Sequence, residues 1–204
     1  MEDKKERLKK QMDFLLEIDK EKTIRRQTLL ADGSRQETDA EHAWHMAVMC
    51  GLLSEYANEK IDVARTMLMV LTHDLVEIDA GDTYAYDEKG NASKKERERK
   101  AADRIYALLP EDQAKMAREL WEEFEEGKTP EAKFANTLDK IQPVLLNDAA
   151  GGISWRAHGV SDRQILGRNR NTHLGSEILW EYTRELIEQN IENGTIRKAE
   201  NSDE

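Results

Sequence analysis

The stretch VLTHDLVEIDAGD, residues 70–82, places His73, Asp74, Glu77, Asp79 and Asp82 directly behind an apolar run. So many polar groups at the end of a helix that reads as buried are costly unless they are paired or bind a cation. Adjacent helical residues diverge by about 100°, yet a cation lying beside the helix can take one ligand from His73 and one from Asp74. Glu77, one turn after Asp74, reaches a molecule bound to that cation. For the dipeptide alone the competing account is structural: His73 lines the helix end and Asp74 pairs with an arginine.

Two other segments supply the same chemistry. TDAEHAWHMAVM, residues 38–49, puts His42 and His45 on one helix face that packs through Met46, Met49 and Leu53. EAKFANTLDKIQPVLL, residues 131–146, carries Asp139 among Phe134, Leu138, Ile141 and Leu145. Pro143 lies four residues beyond Asp139, so its missing N–H frees the Asp139 carbonyl, and a kink is expected there. A helix-surface aspartate is the alternative for Asp139. His158 and His173 have no acid at useful spacing and read as structural or surface residues.

Nearly every element that must position these residues reads as a helix. Capping-box spacing occurs at Thr38/Glu41, Ser93/Glu96 and Ser161/Gln164, and Thr129-Pro130 puts a proline at a first helical position. The expected helices lie near 3–20, 39–57, 62–78, 93–109, 111–126, 130–149 and 172–192, with a short one near 161–168. No segment alternates convincingly as a strand, so the expected fold is an all-α helical bundle. Residues 79–93 form a long connection for such a bundle, which marks them as functional; residues 151–160 form a second irregular one.

At 204 residues the chain fits a single domain over 1–204, with a core at about 9–192 and a frayed tail at 198–204. A net charge of −11 argues against a general nucleic-acid surface and favours a small-molecule or protein partner. The run KKERERK, residues 94–100, reads as an ion-paired helix face. One cysteine, Cys50, excludes an intrachain disulfide and a CxxC motif, and its apolar neighbours place it in the core. The start MEDKKERLKKQ is too charged for a signal peptide, and the apolar run at 66–71 is too short to span a bilayer. No membrane association and a cytoplasmic location are therefore expected.

With His42 in EHAWH, His73-Asp74 in HDLVE, Gly81-Asp82 and Asp139 in order, the chain resembles the HD-domain metal-dependent phosphohydrolases. The similarity is to the branch containing the 5'-deoxynucleotidases and HD domain-containing protein 2, and runs from about 9 to 190, through SWRAHG and the late LW at 179–180.

The resemblance implies that His42, His73, Asp74 and Asp139 ligate one divalent cation, with His45 behind them. No histidine lies between 74 and 139, so the further ligands that two-metal HD enzymes draw from that interval are missing. Two imidazoles and two carboxylates suit Mn²⁺, Co²⁺, Fe²⁺, Ni²⁺ or Zn²⁺ better than Mg²⁺.

Family members hold the phosphate with an arginine some fifteen residues before the first histidine. Arg25 and Arg26 stand there, with Arg26 at the better spacing. Many relatives follow that arginine with a tryptophan near the sugar, where this chain has Gln27, Thr28 and Leu29.

Glu77 and Asp82 match the acidic pair of the nucleotidase branch, so Glu77, Asp82 and Arg26 are the expected catalytic residues, and Arg26, Asp82 and Thr83 the substrate contacts. The implied activity is phosphate removal from a small nucleotide, in particular a deoxynucleoside 5'-monophosphate, by a chain that forms homodimers as members of the family often do. A phosphodiesterase, another phosphorylated-metabolite hydrolase and a non-catalytic nucleotide-binding sensor are the alternatives.

Overall fold

The computed structural model describes residues 3–199, apart from the side chain of Glu88. Helix α1 (Lys4–Ile18) starts at Asp3, whose carboxylate accepts from the Lys5 N–H, and a 3-10 turn leads from it into a hairpin. That hairpin pairs β1 (Arg25–Leu29) antiparallel with β2 (Gln36–Thr38). These strands are the departure from an otherwise all-α bundle. Their inward residues are charged, Arg26 at 8% exposure and Glu37 at 2%, so an apolar alternation is absent from the sequence. The turn closes through Leu30 N–H to the Arg35 carbonyl (2.9 Å), with Gly33 at φ +71°.

Helix α2 (Asp39–Leu53) begins with the expected Thr38/Glu41 capping box. Helix α3 (Val63–Thr72), capped by Asp62, ends six residues earlier than its apolar pattern indicates. The chain then tightens into i−3 bonds, Leu75 N–H to Thr72 O (3.4 Å) and Glu77 N–H to Asp74 O (2.8 Å), before the single turn of α4 (Glu77–Ala80). His73 and Asp74 therefore sit in a break rather than on a continuous helix.

Helix α5 (Glu88–Tyr106) starts earlier than the Ser93/Glu96 pair suggests. The Asp87 carboxylate accepts from Lys89 and Gly90 N–H, both at 3.1 Å, and the connection shortens to 81–87. Gly127 (φ +60°) ends α6 (Glu111–Glu126). Helix α7 (Pro130–Ala149) has Thr129 as its cap and runs through Pro143 as one helix. A short α8 (Ile153–Ala157) forms inside the segment read as irregular, and α9 (Asp162–Asn169) follows the Ser161/Gln164 capping box. The last helix, α10 (Glu177–Glu192), starts at a Ser176 cap after a separate 3-10 turn at Thr172–Leu174.

Helix α7 lies at the centre. Its Phe134, Leu138 and Ile141 pack with Met46 and Cys50 of α2, Met69 and Val70 of α3, and Leu120 and Phe124 of α6. A second cluster joins Leu75 and Val76 to Ile105, Tyr106 and Trp121, so the apolar neighbours of the His73-Asp74 turn anchor it to α5 and α6. A third joins Val144 to Trp155, Ile165, Ile187 and Ile196. Ile196 is fully buried beyond α10, and Arg197 N–H bonds the Val160 carbonyl (3.1 Å), so the core extends past the expected boundary at 192. Residues 200–204 of the expected tail lie outside the described residues. Cys50 is buried as expected, which pushes its thiol up to about 11. Among the described residues, no helix is long and apolar enough to cross a membrane.

Gly175 packs directly on α7. A Cβ there would collide with the Lys133 carbonyl and the Thr137 hydroxyl, both on the central helix. Gly175→Ala is expected to lower stability by about 1–3 kcal/mol through overpacking, read as a lower urea midpoint at unchanged m-value.

Candidate active site

The two histidines are oriented from behind. Gln142 of α7 donates through Nε2 to Glu37 Oε1 (2.6 Å), which turns its carbonyl oxygen toward His42 Nδ1 at 2.9 Å. That oxygen only accepts, so His42 carries its proton on Nδ1 and presents a bare Nε2, which lies 3.3 Å from Asp139 Oδ1. The same amide nitrogen also reaches His45 Nδ1 (3.2 Å), so His45 stands behind His42. His73 Nδ1 donates to the Val70 carbonyl (2.9 Å), and its buried Nε2 has no hydrogen-bond partner. This Nε2 lies 3.2 Å from Asp74 Oδ2 and 4.0 Å from Asp139 Oδ1.

One ligand atom each from His42, His73 and Asp139 falls within 4.8 Å of the others. Asp74 stands just outside this trio, its Oδ2 also held by Arg26 NH1 at 2.8 Å. The donor set fits a divalent metal. Both imidazoles are fixed through Nδ1 with Nε2 turned to the carboxylates, and the orphaned His73 Nε2 lacks only a Lewis acid.

Electrostatics point the same way. Burial, reinforced by Arg26, brings His42 down to about 4 and keeps it neutral. Burial opposes charge at His73 too, but Asp74 and Asp139 outweigh it and push this imidazole up to about 9. The carboxylates thus call for a positive charge at His73 Nε2, which a divalent cation supplies in place of the proton. Burial alone would raise Asp74, yet His73 and Arg26 hold it well below the ordinary carboxylate range.

Beside this trio, Asp39, Glu77 and Asp82 bring three more carboxylate oxygens within 4.8 Å of one another. Burial raises all three, Asp39 to about 7 and Glu77 well above its ordinary value, with Asp74 adding repulsion. Gly81, at φ +72°, turns the chain after α4 and delivers Asp82 to this group. Arg26 NH1 answers part of the charge by bonding Asp39 Oδ1 (3.0 Å) as well as Asp74. Arg25, next to it on the strand, faces outward.

These groups line one end of a cavity of about 290 Å³. Arg26, His73, Asp74, Glu77, Asp82, Thr83 and Asp139 all contribute to its wall, while His42 is buried behind it. Lys94 Nζ lies 3.7 Å from Glu77 and 3.3 Å from Glu98, and Arg168 NH2 lies 3.8 Å from Asp139. Thr83 Oγ1 accepts from Arg97 (2.8 Å).

Three expected non-site residues stay apart. Asp79 pairs with Arg104 (2.8 Å), the His173 carbonyl accepts from Asn58 (2.8 Å), and the His158 ring lies tilted against Tyr84 with centroids 4.6 Å apart, outside the cavity lining.

Sequence reasoning missed Glu37, Asp39, Gln142, Lys94 and Arg168. Helical spacing carried some signal: Asp39 lies three residues before His42, and Gln142 three after Asp139. The run at 94–100 is not wholly a solvated face, because Glu98 is 5% exposed and Lys94 borders the cavity.

A helical bundle whose core holds imidazoles and carboxylates from α2, the turn after α3, and α7 is a recognisable class of metal-binding fold. The chain belongs to the HD domain family, which it matches over residues 18–180.

Human 5'-deoxynucleotidase HDDC2 is 35% identical over 111 residues, 54% of this chain and 53% of that protein. The 5'-deoxynucleotidase HDDC2 of Dictyostelium discoideum is 30% identical over 140 residues, 66% of this chain and 74% of that protein. The chain spans about half the length of the vertebrate relatives it matches. The crystal structure of a predicted metal-dependent phosphohydrolase from Magnetospirillum magnetotacticum is 47% identical with a TM-score of 0.88, covering 93% of this chain and 98% of the other.

Gln142→Leu removes the acceptor that fixes the His42 ring. Metal affinity, measured by competition with a chelator, is expected to fall roughly 10–100-fold with the helical circular dichroism spectrum unchanged.

Proposed function

We propose that this chain, acting as a single HD domain, is a divalent-metal-dependent phosphomonoesterase that removes phosphate from a deoxynucleoside 5'-monophosphate. The carrying observation is the pair of bare Nε2 atoms beside Asp139 and Asp74, at one end of a cavity of about 290 Å³. That volume sits at the small end of ligand cavities and suits a mononucleotide better than a triphosphate or an oligonucleotide.

His42, His73, Asp74 and Asp139 would hold one cation, and this mixed nitrogen and oxygen set favours Mn²⁺, Co²⁺, Fe²⁺, Ni²⁺ or Zn²⁺ over Mg²⁺. When bound, the cation supplies Lewis-acid polarisation of a phosphoryl oxygen and acidifies water. Arg26, anchored through one nitrogen by Asp74 and Asp39, directs its planar guanidinium at the phosphate. Glu77 orients the attacking water and takes its proton, with Lys94 Nζ at 3.7 Å favouring the charged carboxylate. Asp82 and Thr83 face the sugar and the leaving oxygen. Six carboxylates line the cavity wall against four lysine and arginine side chains, so a divalent ion there would add positive charge among neighbouring acids. Ser154, which lines the cavity, commits its hydroxyl to the Gln27 carbonyl (3.0 Å), and water serves as the nucleophile in this reading.

Phosphate release from a mononucleotide panel with Mn²⁺ or Co²⁺ tests the reading. Turnover should vanish with chelator, and Glu77→Gln should retain metal while losing about 10²–10⁴-fold in kcat. Asp74→Asn keeping both its metal and its phosphate release would overturn the assignment.

A further inference from the structure

The cavity continues well beyond the residues that the reaction uses. Asp139, Pro143 and Asn147 all line it, one helical turn apart on the same face of α7. At 1.5 Å per residue, Asn147 lies about 12 Å along the axis from Asp139. That is about the length of a nucleoside monophosphate, so a substrate with its phosphate beside Asp139 brings its base to Asn147.

The side chain of Asn147 is set for a donor. Its Nδ2 donates to the Pro143 carbonyl at 2.7 Å, which fixes the amide plane and its orientation. Flipping the amide would place oxygen against oxygen, so the assignment of Oδ1 is secure. Oδ1 is buried without a hydrogen-bond partner on a residue only 7% exposed. A buried acceptor left unmade costs free energy that a ligand N–H recovers.

Tyr84, Tyr86 and Trp155 line the cavity, with Tyr84 and Tyr86 edge to face at 5.3 Å and Tyr84 on the His158 ring at 4.6 Å. The loop bearing both tyrosines is tied down from α5. Asn91 Nδ2 reaches the carbonyls of Tyr84 (3.2 Å), Ala85 (3.3 Å) and Asp87 (2.7 Å), and Arg97 bonds the Ala80 carbonyl and Thr83 Oγ1. Trp155 packs in one cluster with Val144, Ile165 and Ile187. Aromatic rings beside an unpaired acceptor are a usual composition of a site for a flat heterocycle.

We infer that the far end of the cavity is a nucleobase subsite in which Asn147 Oδ1 accepts a hydrogen bond from an exocyclic amine and the Tyr84, Tyr86 and Trp155 rings cover the base. This rests on the phosphomonoesterase reading, and it gives the chain a preference among bases that the metal centre does not encode.

The test compares 2'-deoxyadenosine 5'-monophosphate, purine 2'-deoxyriboside 5'-monophosphate, which lacks the amine, and 2-deoxyribose 5-phosphate, which lacks the base. The wild-type chain loaded with Mn²⁺ is expected to favour the amine-bearing nucleotide over its amine-free analogue about tenfold in kcat/KM. Asn147→Ala should bring that ratio close to one, leaving metal content and hydrolysis of the sugar phosphate unchanged. A wild-type ratio near one overturns the subsite even if the variant fails to fold. Equal losses on all three esters in Asn147→Ala also overturn it, because they assign Asn147 a purely structural role at Pro143. Absence of turnover on every nucleotide with Mn²⁺ or Co²⁺ overturns the proposed function and the subsite together, which separates the two failures.

Discussion

The site is organised around one buried guanidinium. Arg26 bonds Asp74 at 2.8 Å and Asp39 at 3.0 Å, and its Nε lies 3.9 Å from Glu37. Those acids come from the turn after α3, the first turn of α2, and β2, so a single cation ties three elements together. A buried carboxylate without a counter-charge is costly, and so is a buried arginine, which makes the arrangement mutually dependent. A hairpin therefore survives in a helical bundle although its sequence offers no apolar face. The same pull on Asp74 is satisfied where α3 gives way to i−3 turns, and the break presents His73 and Asp74 to one centre instead of on diverging faces of a helix.

Helix α7 meets this network from the other side. Asp139 and Gln142 are one turn apart, so the helix delivers a carboxylate to His42 Nε2 and an amide oxygen to His42 Nδ1. Glu37 receives the other end of that amide, and Glu37 also faces Arg26. Charge placement and ring orientation are thus set by one continuous set of hydrogen bonds. Within it, carboxylates close together are driven apart in acidity: Asp74 is held low by His73 and Arg26, while burial and Asp74 itself push Glu77 high. Divergent environments of this kind separate an acid that stays charged from one that exchanges a proton.

Much of this was legible in the sequence. His42, His73-Asp74 and Asp139 announce themselves because a histidine or acid inside an apolar helical pattern demands a partner, and the structure brings His42, His73 and Asp139 together with Asp74 just outside them. Caps at Thr38, Thr129 and Ser161 locate three helix starts because a side chain there completes backbone bonds locally. Less readable were features that depend on distant partners. The β-strands owe their inward faces to Arg26 and Glu37, and the end of α3 reflects tertiary contacts that override an apolar period. Lys94 and Glu98 looked like members of a solvated charge run, since nothing local distinguishes a lysine facing Glu77 from one facing water. Gln142 and Asn147 are neutral amides whose importance comes from which atom is left unpaired.

A net charge of −11 is at first sight ill-suited to the anionic ester of the proposed function. The contradiction dissolves at short range, because screening confines exposed charges to about 8 Å at physiological ionic strength. What a phosphate meets on entry is the local wall, where Lys94 and Arg168 flank the acids from α5 and α9. Each is held by a carboxylate at between 3.3 and 3.8 Å and remains about one third exposed, so each is oriented yet able to attract an anion. Under the proposed function a divalent ion adds to these cations where the acids of the wall outnumber them, and an acidic exterior disfavours the long run of phosphates of a nucleic acid more than the single phosphate of a mononucleotide.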